Sequence, residues 1–261
     1  MKKFSVEILP KQKSKISELK RDYFEDIFIT HIPGSPLSDL IDASKEVKIS
    51  GFNPVPHIPA RSFEGYDVLE NTLLSLKNAG VSDLLVIAGS SSVSAGPFNS
   101  TLDMFKTDLF NKLNFRNLRI AGHPEGNPDD KDSKKSLSLK LLWLKNHDFT
   151  ISIVTQFCLS SSVSNNWIKE TRKTVNDFSL PNVDILIGLA GPSKITTLLK
   201  YAKVCGVNAS ASFLKRQGLD IAKIINHSPE IMINQLTGHD GVHFFPFGGI
   251  SELNKWLDNR N

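Results

Sequence analysis

Short apolar runs alternate with longer amphipathic stretches from one end of the chain to the other. The runs predict strands at 4–9, 26–30, 53–58, 83–88, 117–121, 151–157, 183–188 and 242–247. Helical spacing predicts helices around 37–47, 65–79, 101–111, 133–145, 164–177, 194–204, 218–235 and 251–258. Strands that alternate with helices pair in parallel, because each crossover carries the chain back to the same sheet edge. Eight such units are the number that closes a barrel. The expected fold class is therefore a (β/α)8 TIM barrel, with residues 1–261 as a single domain. An open doubly wound sheet would need a glycine-rich turn after the first strand, and Pro10-Lys11-Gln12-Lys13 has no glycine. Residues 211–214 read as an extra short helix before the last unit.

Composition narrows the class. Of 261 residues, 40% are hydrophobic and 22% charged, which suits a folded soluble enzyme and neither a disordered nor a membrane protein. No apolar run is long enough to span a bilayer, and Glu7 interrupts any leader pattern, so the expected location is cytoplasmic. The net charge of +4 is spread among acids, which gives no basic stripe for nucleic acid. Cys158 and Cys205 lack metal-type spacing and fit a reducing compartment.

In a parallel barrel the carboxyl ends of all strands meet at one mouth, so the chemistry is sought there. Those ends carry Glu7, Thr30, His31, His57, Gly89, Ser90, His123, Glu125, Gln156 and Gly188. Glu7 lies between apolar neighbours, where burial is expected to raise its pKa toward that of a general acid. Strand alternation alone leaves open whether it faces the mouth or an outer surface. The stretch from Arg119 to Pro128 reads as a strand end opening into a functional loop, or as an ordinary turn. Gln156 ends an apolar strand, where an amide must find a partner or a ligand. The serine runs 90–92 and 160–162 are either backbone cradles for phosphate or solvated loops. The histidines show no zinc-hydrolase pattern, so no metal is expected.

Taken in order, these segments resemble the methylenetetrahydrofolate reductases, flavin-containing (β/α)8 barrels that reduce 5,10-methylenetetrahydrofolate to 5-methyltetrahydrofolate. Ser5-Val6-Glu7-Ile8-Leu9-Pro10 is similar to the family's first strand, which puts Glu7 on the catalytic acid. Pro56-His57-Ile58, the loop from Ala121 to Pro128, and Thr155-Gln156-Phe157 are similar to further family motifs. The resemblance implies FAD bound by Thr30, His57, Ser90, Ala121, His123, Asn127 and Lys145, and folate bound by Gln156 and Tyr201. It also implies NADH or NADPH as hydride source, a folate substrate, and a place in one-carbon metabolism and methionine biosynthesis. The family's Arg-Gly-Asp after the fourth strand is Ala88-Gly89-Ser90 here. Two rival readings follow: a related folate barrel without tightly bound flavin, working toward methyl oxidation, and a non-catalytic folate-binding accessory subunit. A homo-oligomer or a partner subunit is compatible with each.

Overall fold

Buried apolar side chains on alternate strand positions decide the architecture. Val6 and Ile8, Ile27 and Ile29, and Leu84 and Val86 point away from the barrel axis and pack in one core with helix residues such as Leu40, Val47, Leu73 and Leu76. That leaves the intervening positions to face inward. The computed structural model describes residues 3–180, 182–205, 207 and 226–260. In it, eight parallel strands form a closed barrel: β1 (Phe4–Ile8), β2 (Phe24–Ile29), β3 (Asn53–Pro59), β4 (Asp83–Ile87), β5 (Asn117–Gly122), β6 (Thr150–Cys158), β7 (Asp184–Ala190) and β10 (Gly241–Phe245). Their order is β1-β10-β7-β6-β5-β4-β3-β2. The expected (β/α)8 fold class is thus the one observed.

Helices α1 (Leu37–Ile49), α2 (Tyr66–Asn78), α5 (Ser133–Leu144), α6 (Ser161–Asp177) and α9 (Ile250–Asp258) follow the predicted positions. The helix expected over 101–111 is instead two short pieces, α3 (Thr101–Phe105) and α4 (Leu109–Lys112). The break falls at Asp108, which takes a left-handed φ of 59° that no α-helix continues through. Residues Pro10–Glu18, assigned to no element from sequence, form a 3-10 helix. Of the stretch 218–235 only β9 (Asn226–His227) and α8 (Glu230–Gln235) fall within the described residues, and 211–214 lies outside them.

Inward-facing residues stack in three tiers. The lowest is ionic: the Arg119 guanidinium donates to Asp26 at 2.8 Å and to Asp83 at 3.0 Å, while the Asn53 amide donates to both carboxylates. Burial pushes the Asp83 carboxyl up, but Arg119, Asn53 and Ser82 more than offset this and leave it lowered. Above lies an apolar tier of Phe28, Val55, Leu85, Val154 and Leu186. The third tier is the mouth. At one point the wall itself is bulged: β6 shifts register against β7 between Val154 and Phe157. Gly188 makes this fit, since a Cβ there would lie 2.5 Å from the Thr155 carbonyl oxygen.

One helix departs from the outer ring. After β7 the chain forms β8 (Ser193–Lys194), which pairs with β9, and then α7 (Ile195–Val204). Ile195, Leu198 and Ala202 of α7 pack with Phe157, Leu159, Ala190 and Phe245, so α7 lies across the carboxyl ends of β6, β7 and β10.

Candidate active site

Glu7 sits at the centre of the mouth. Because Val6 and Ile8 point outward, Ser5 and Glu7 face the barrel interior, which settles the face that the sequence left open. Two imidazoles flank the carboxylate: His57 Nε2 stands 3.6 Å and His243 Nε2 3.7 Å from Glu7 Oε2. The other ring nitrogen of His243, Nδ1, is 3.0 Å from the Ser5 hydroxyl. Phe28 lies beneath, its ring centroid 4.4 Å from that of His243 and 6.2 Å from that of His57.

This setting corrects the expectation that burial makes Glu7 a raised-pKa acid. Burial does push its carboxyl up, but hydrogen bonding by His243 and the electrostatic pull of His57 and His243 together outweigh it, and the net direction is down. His57 moves the opposite way from a partner in a stable ion pair. Burial drives it down to about 4, against the pull of Glu7 and with the help of His243 and His31. At neutral pH the unliganded site therefore holds an ionised Glu7 beside a neutral His57. Of the six buried side-chain polar atoms that lack a hydrogen-bond partner among the described residues, two, His57 Nε2 and Thr30 Oγ1, are at the mouth. Buried groups of this kind are costly to leave unpaired.

His243 was missed from the sequence. In Gly241–Phe245 its neighbours Val242 and Phe244 are buried in the outer core, so the alternation that places Glu7 inside also places His243 inside. The other sequence-derived residues divide. Thr30 directly follows β2, and His57 and Ala121 lie near the ends of β3 and β5, all on the mouth side. His123 follows β5 beside Lys140, Asp129 and Asp130, and burial is the main cause that takes its ring down to about 4. Gln156 folds its side-chain carbonyl onto the Phe157 amide at 3.0 Å. Tyr201, on α7, is stacked on Phe247 with centroids 4.2 Å apart. The end of α7 comes within electrostatic reach of Glu7: burial raises the Cys205 thiol to about 11, and Glu7 adds to the shift.

Three residues that the resemblance assigned to FAD, Lys145 among them for its phosphates, lie as follows. Lys145 caps the C-terminal end of α5 just before β6 begins, which is the rim opposite the mouth. Asn127 spends its side-chain oxygen on the Asp129 amide at 3.0 Å. Ser90 is exposed on a loop whose Gly89 and Ser91 carbonyls accept from Arg61. The second serine run does form an amide cradle, but Glu125 fills it, accepting from Leu159 at 2.6 Å and Ser160 at 2.8 Å. The β5 loop carries Asp129, Asp130 and Asp132 with Lys131 among them, and Lys140 stands close to both His123 and Asp130. Among the described residues no group of three or more His, Cys, Asp or Glu side chains is placed to hold a metal ion. None of the helices described is long and apolar enough to cross a membrane.

Barrel and mouth together define the class: a (β/α)8 barrel with a carboxylate between two imidazoles at its carboxyl-end rim. No protein-family model matches the chain. Among solved structures it is similar to an uncharacterized protein from Clostridium thermocellum that binds two copies of 5-methyl-5,6,7,8-tetrahydrofolic acid, with TM-score 0.62 and 12% identity over 98% of this chain and 95% of that one. It is also similar to a protein from Burkholderia cenocepacia J2315 described as a proposed lyase/mutase, with TM-score 0.51 and 10% identity over 82% and 86% of the two chains. At such identities the likeness shows the fold alone.

Proposed function

We propose that this chain is an enzyme of folate one-carbon chemistry that interconverts 5,10-methylenetetrahydrofolate and 5-methyltetrahydrofolate, with NADH or NADPH as hydride source and without tightly bound FAD. The observation that carries the reading is the ionised Glu7 at the base of the mouth, beside the unpaired donors and acceptors of His57 and Thr30. Two further facts support it: the ordered resemblance of the strand ends to methylenetetrahydrofolate reductases, and the methyltetrahydrofolate bound by the Clostridium thermocellum barrel.

In the reducing direction the bond between N10 and the methylene carbon breaks, N10 gains a proton, and the N5 iminium so formed accepts hydride at carbon. An anionic Glu7 favours that cation, and in the reverse direction it favours the same species. When a pteridine covers the mouth and displaces water, the desolvation already acting on Glu7 grows, which brings its carboxyl closer to the pKa a proton donor needs. His243 holds the carboxylate, and His57 beside it supplies a route for its proton.

The test is turnover of NADH with 5,10-methylenetetrahydrofolate by purified protein of known visible absorbance. Glu7→Gln should lower turnover by about a hundredfold or more while 5-methyltetrahydrofolate still binds within a few-fold of wild type. Unchanged turnover would remove Glu7 from the mechanism. A strong flavin spectrum would return FAD to the proposal. Binding without turnover in the wild type would favour the accessory-subunit reading, for which a lowered Glu7 is equally suited.

A further inference from the structure

The mouth is closed on one side and open on another. Over β6, β7 and β10 it is filled by α7, with Tyr201 stacked on Phe247 and Leu198 packed among Phe157 and Phe245. Over β2, β3 and β4 lies a groove of about 600 Å³ between the loops that follow those strands. It begins at His31, which stands close enough to His57 to help lower that ring, so this end of the groove neighbours the Glu7 site. His31 is 8% exposed, lines the groove, and makes no hydrogen bond among the described residues. Arg61 lines the groove as well. Its Nε and Nη1 are tied to the carbonyls of Asn99, Gly89 and Ser91, which fixes the guanidinium in place, while Nη2 makes no hydrogen bond. Val68 and Val93 supply apolar wall. The first turns of α1 and α2 border the same space, and neither helix has a side-chain cap. Unsatisfied amides there add to the positive potential around Arg61. Glu64, exposed at the rim, opposes it and disfavours a multiply charged anion.

We propose that this groove takes the carboxylate-bearing tail of the ligand whose ring sits at Glu7, with Arg61 Nη2 and His31 as its polar contacts and Val68 and Val93 as its apolar wall. The inference rests on the folate reading above, in which the tail is an aminobenzoyl-glutamate. A fixed guanidinium with one donor edge free suits a carboxylate, since little side-chain entropy is left to lose. The α7 side is filled, so a ligand seated over Glu7 extends away from β6, β7 and β10, and this groove lies on the opposite side.

Titration calorimetry on the full-length protein separates the parts, using 5-methyltetrahydrofolate, the tail-less 5,6-dimethyltetrahydropterin, and p-aminobenzoylglutamate as the tail alone. Wild type should bind the folate at least tenfold more tightly than the pterin. Arg61→Ala should weaken both folate and tail fragment about tenfold or more and leave the pterin unchanged. Val93→Glu should do the same, and because Val93 is 74% exposed this change leaves folding intact. Equal wild-type affinity for folate and pterin, or variants that weaken both alike, overturns the groove while leaving the ring site standing. Arg61-dependent binding of the tail fragment without any binding of folate or pterin keeps the groove and overturns the folate reading. No binding of either folate or fragment overturns both.

Discussion

Replacing His57 by Gln tests the electrostatics of the mouth without relying on any ligand. In the folded chain the imidazole refuses a proton until about pH 4, because it is almost fully buried beneath the mouth. In the unfolded chain it takes the proton near its ordinary value of 6.5. A group whose folded pKa is depressed in this way, being basic, costs stability as pH falls: the unfolded state gains protons that the folded state declines. Working the linkage between those two values, the wild type should lose about 2 kcal/mol between pH 7 and pH 5 through this one ring, and almost none of it above pH 7. The interval stops above the ordinary range of Glu7. Its lowered carboxyl contributes stability that is lost only as pH falls further, through its folded value. Urea unfolding at the two pH values, for wild type and His57→Gln, gives the double difference. His123, which declines protons in the same range, contributes equally to both proteins and cancels. A variant that is as acid-sensitive as the wild type would refute the claim that His57 is neutral in the folded site.

Other expectations follow from the same geometry. Arg119→Met should cost about 3–5 kcal/mol in urea unfolding, because it strands Asp83 as a buried charge and Asp26 as a partly buried one without the guanidinium they share. Lys145→Ala should leave visible absorbance, folate affinity and turnover at wild-type values, and a loss in any of them would return that lysine to the site. Burial raises the thiols of Cys158 to about 12 and Cys205 to about 11. Iodoacetamide at neutral pH should therefore label neither until urea unfolds the protein, which mass spectrometry would check.

The barrel was legible because its strands are buried on both sides. All eight observed strands begin and end within two residues of the predicted runs. The faces were legible too, in principle. Val6 and Ile8 around Glu7, like Val242 and Phe244 around His243, are apolar partners of the helices, so both polar residues had to turn inward. The direction of the Glu7 shift was not readable, since it depends on two histidines that reach it from β3 and β10 across the barrel. Lys145 shows a different limit. Its place at the end of α5 already put it on the far rim by topology, and the resemblance suggested otherwise because local sequence similarity carries no information about which end of a helix faces the mouth. Two further features escaped for local reasons. The 3-10 segment Pro10–Glu18 has no α-type periodicity to detect, and the position of α7 over the strand ends depends on long-range contacts with Phe157 and Phe245.

Phe28 occupies an unusual station between two charged assemblies. The Arg119 guanidinium lies 5.1 Å from its ring centroid on one side, and the His57 and His243 rings crowd it on the other. A single benzene ring thus insulates a permanent cation from the Glu7 carboxylate overhead. Were it trimmed to a smaller residue, water and field lines would pass between them, and the anchor that secures the barrel base would begin to tune the acid at its summit.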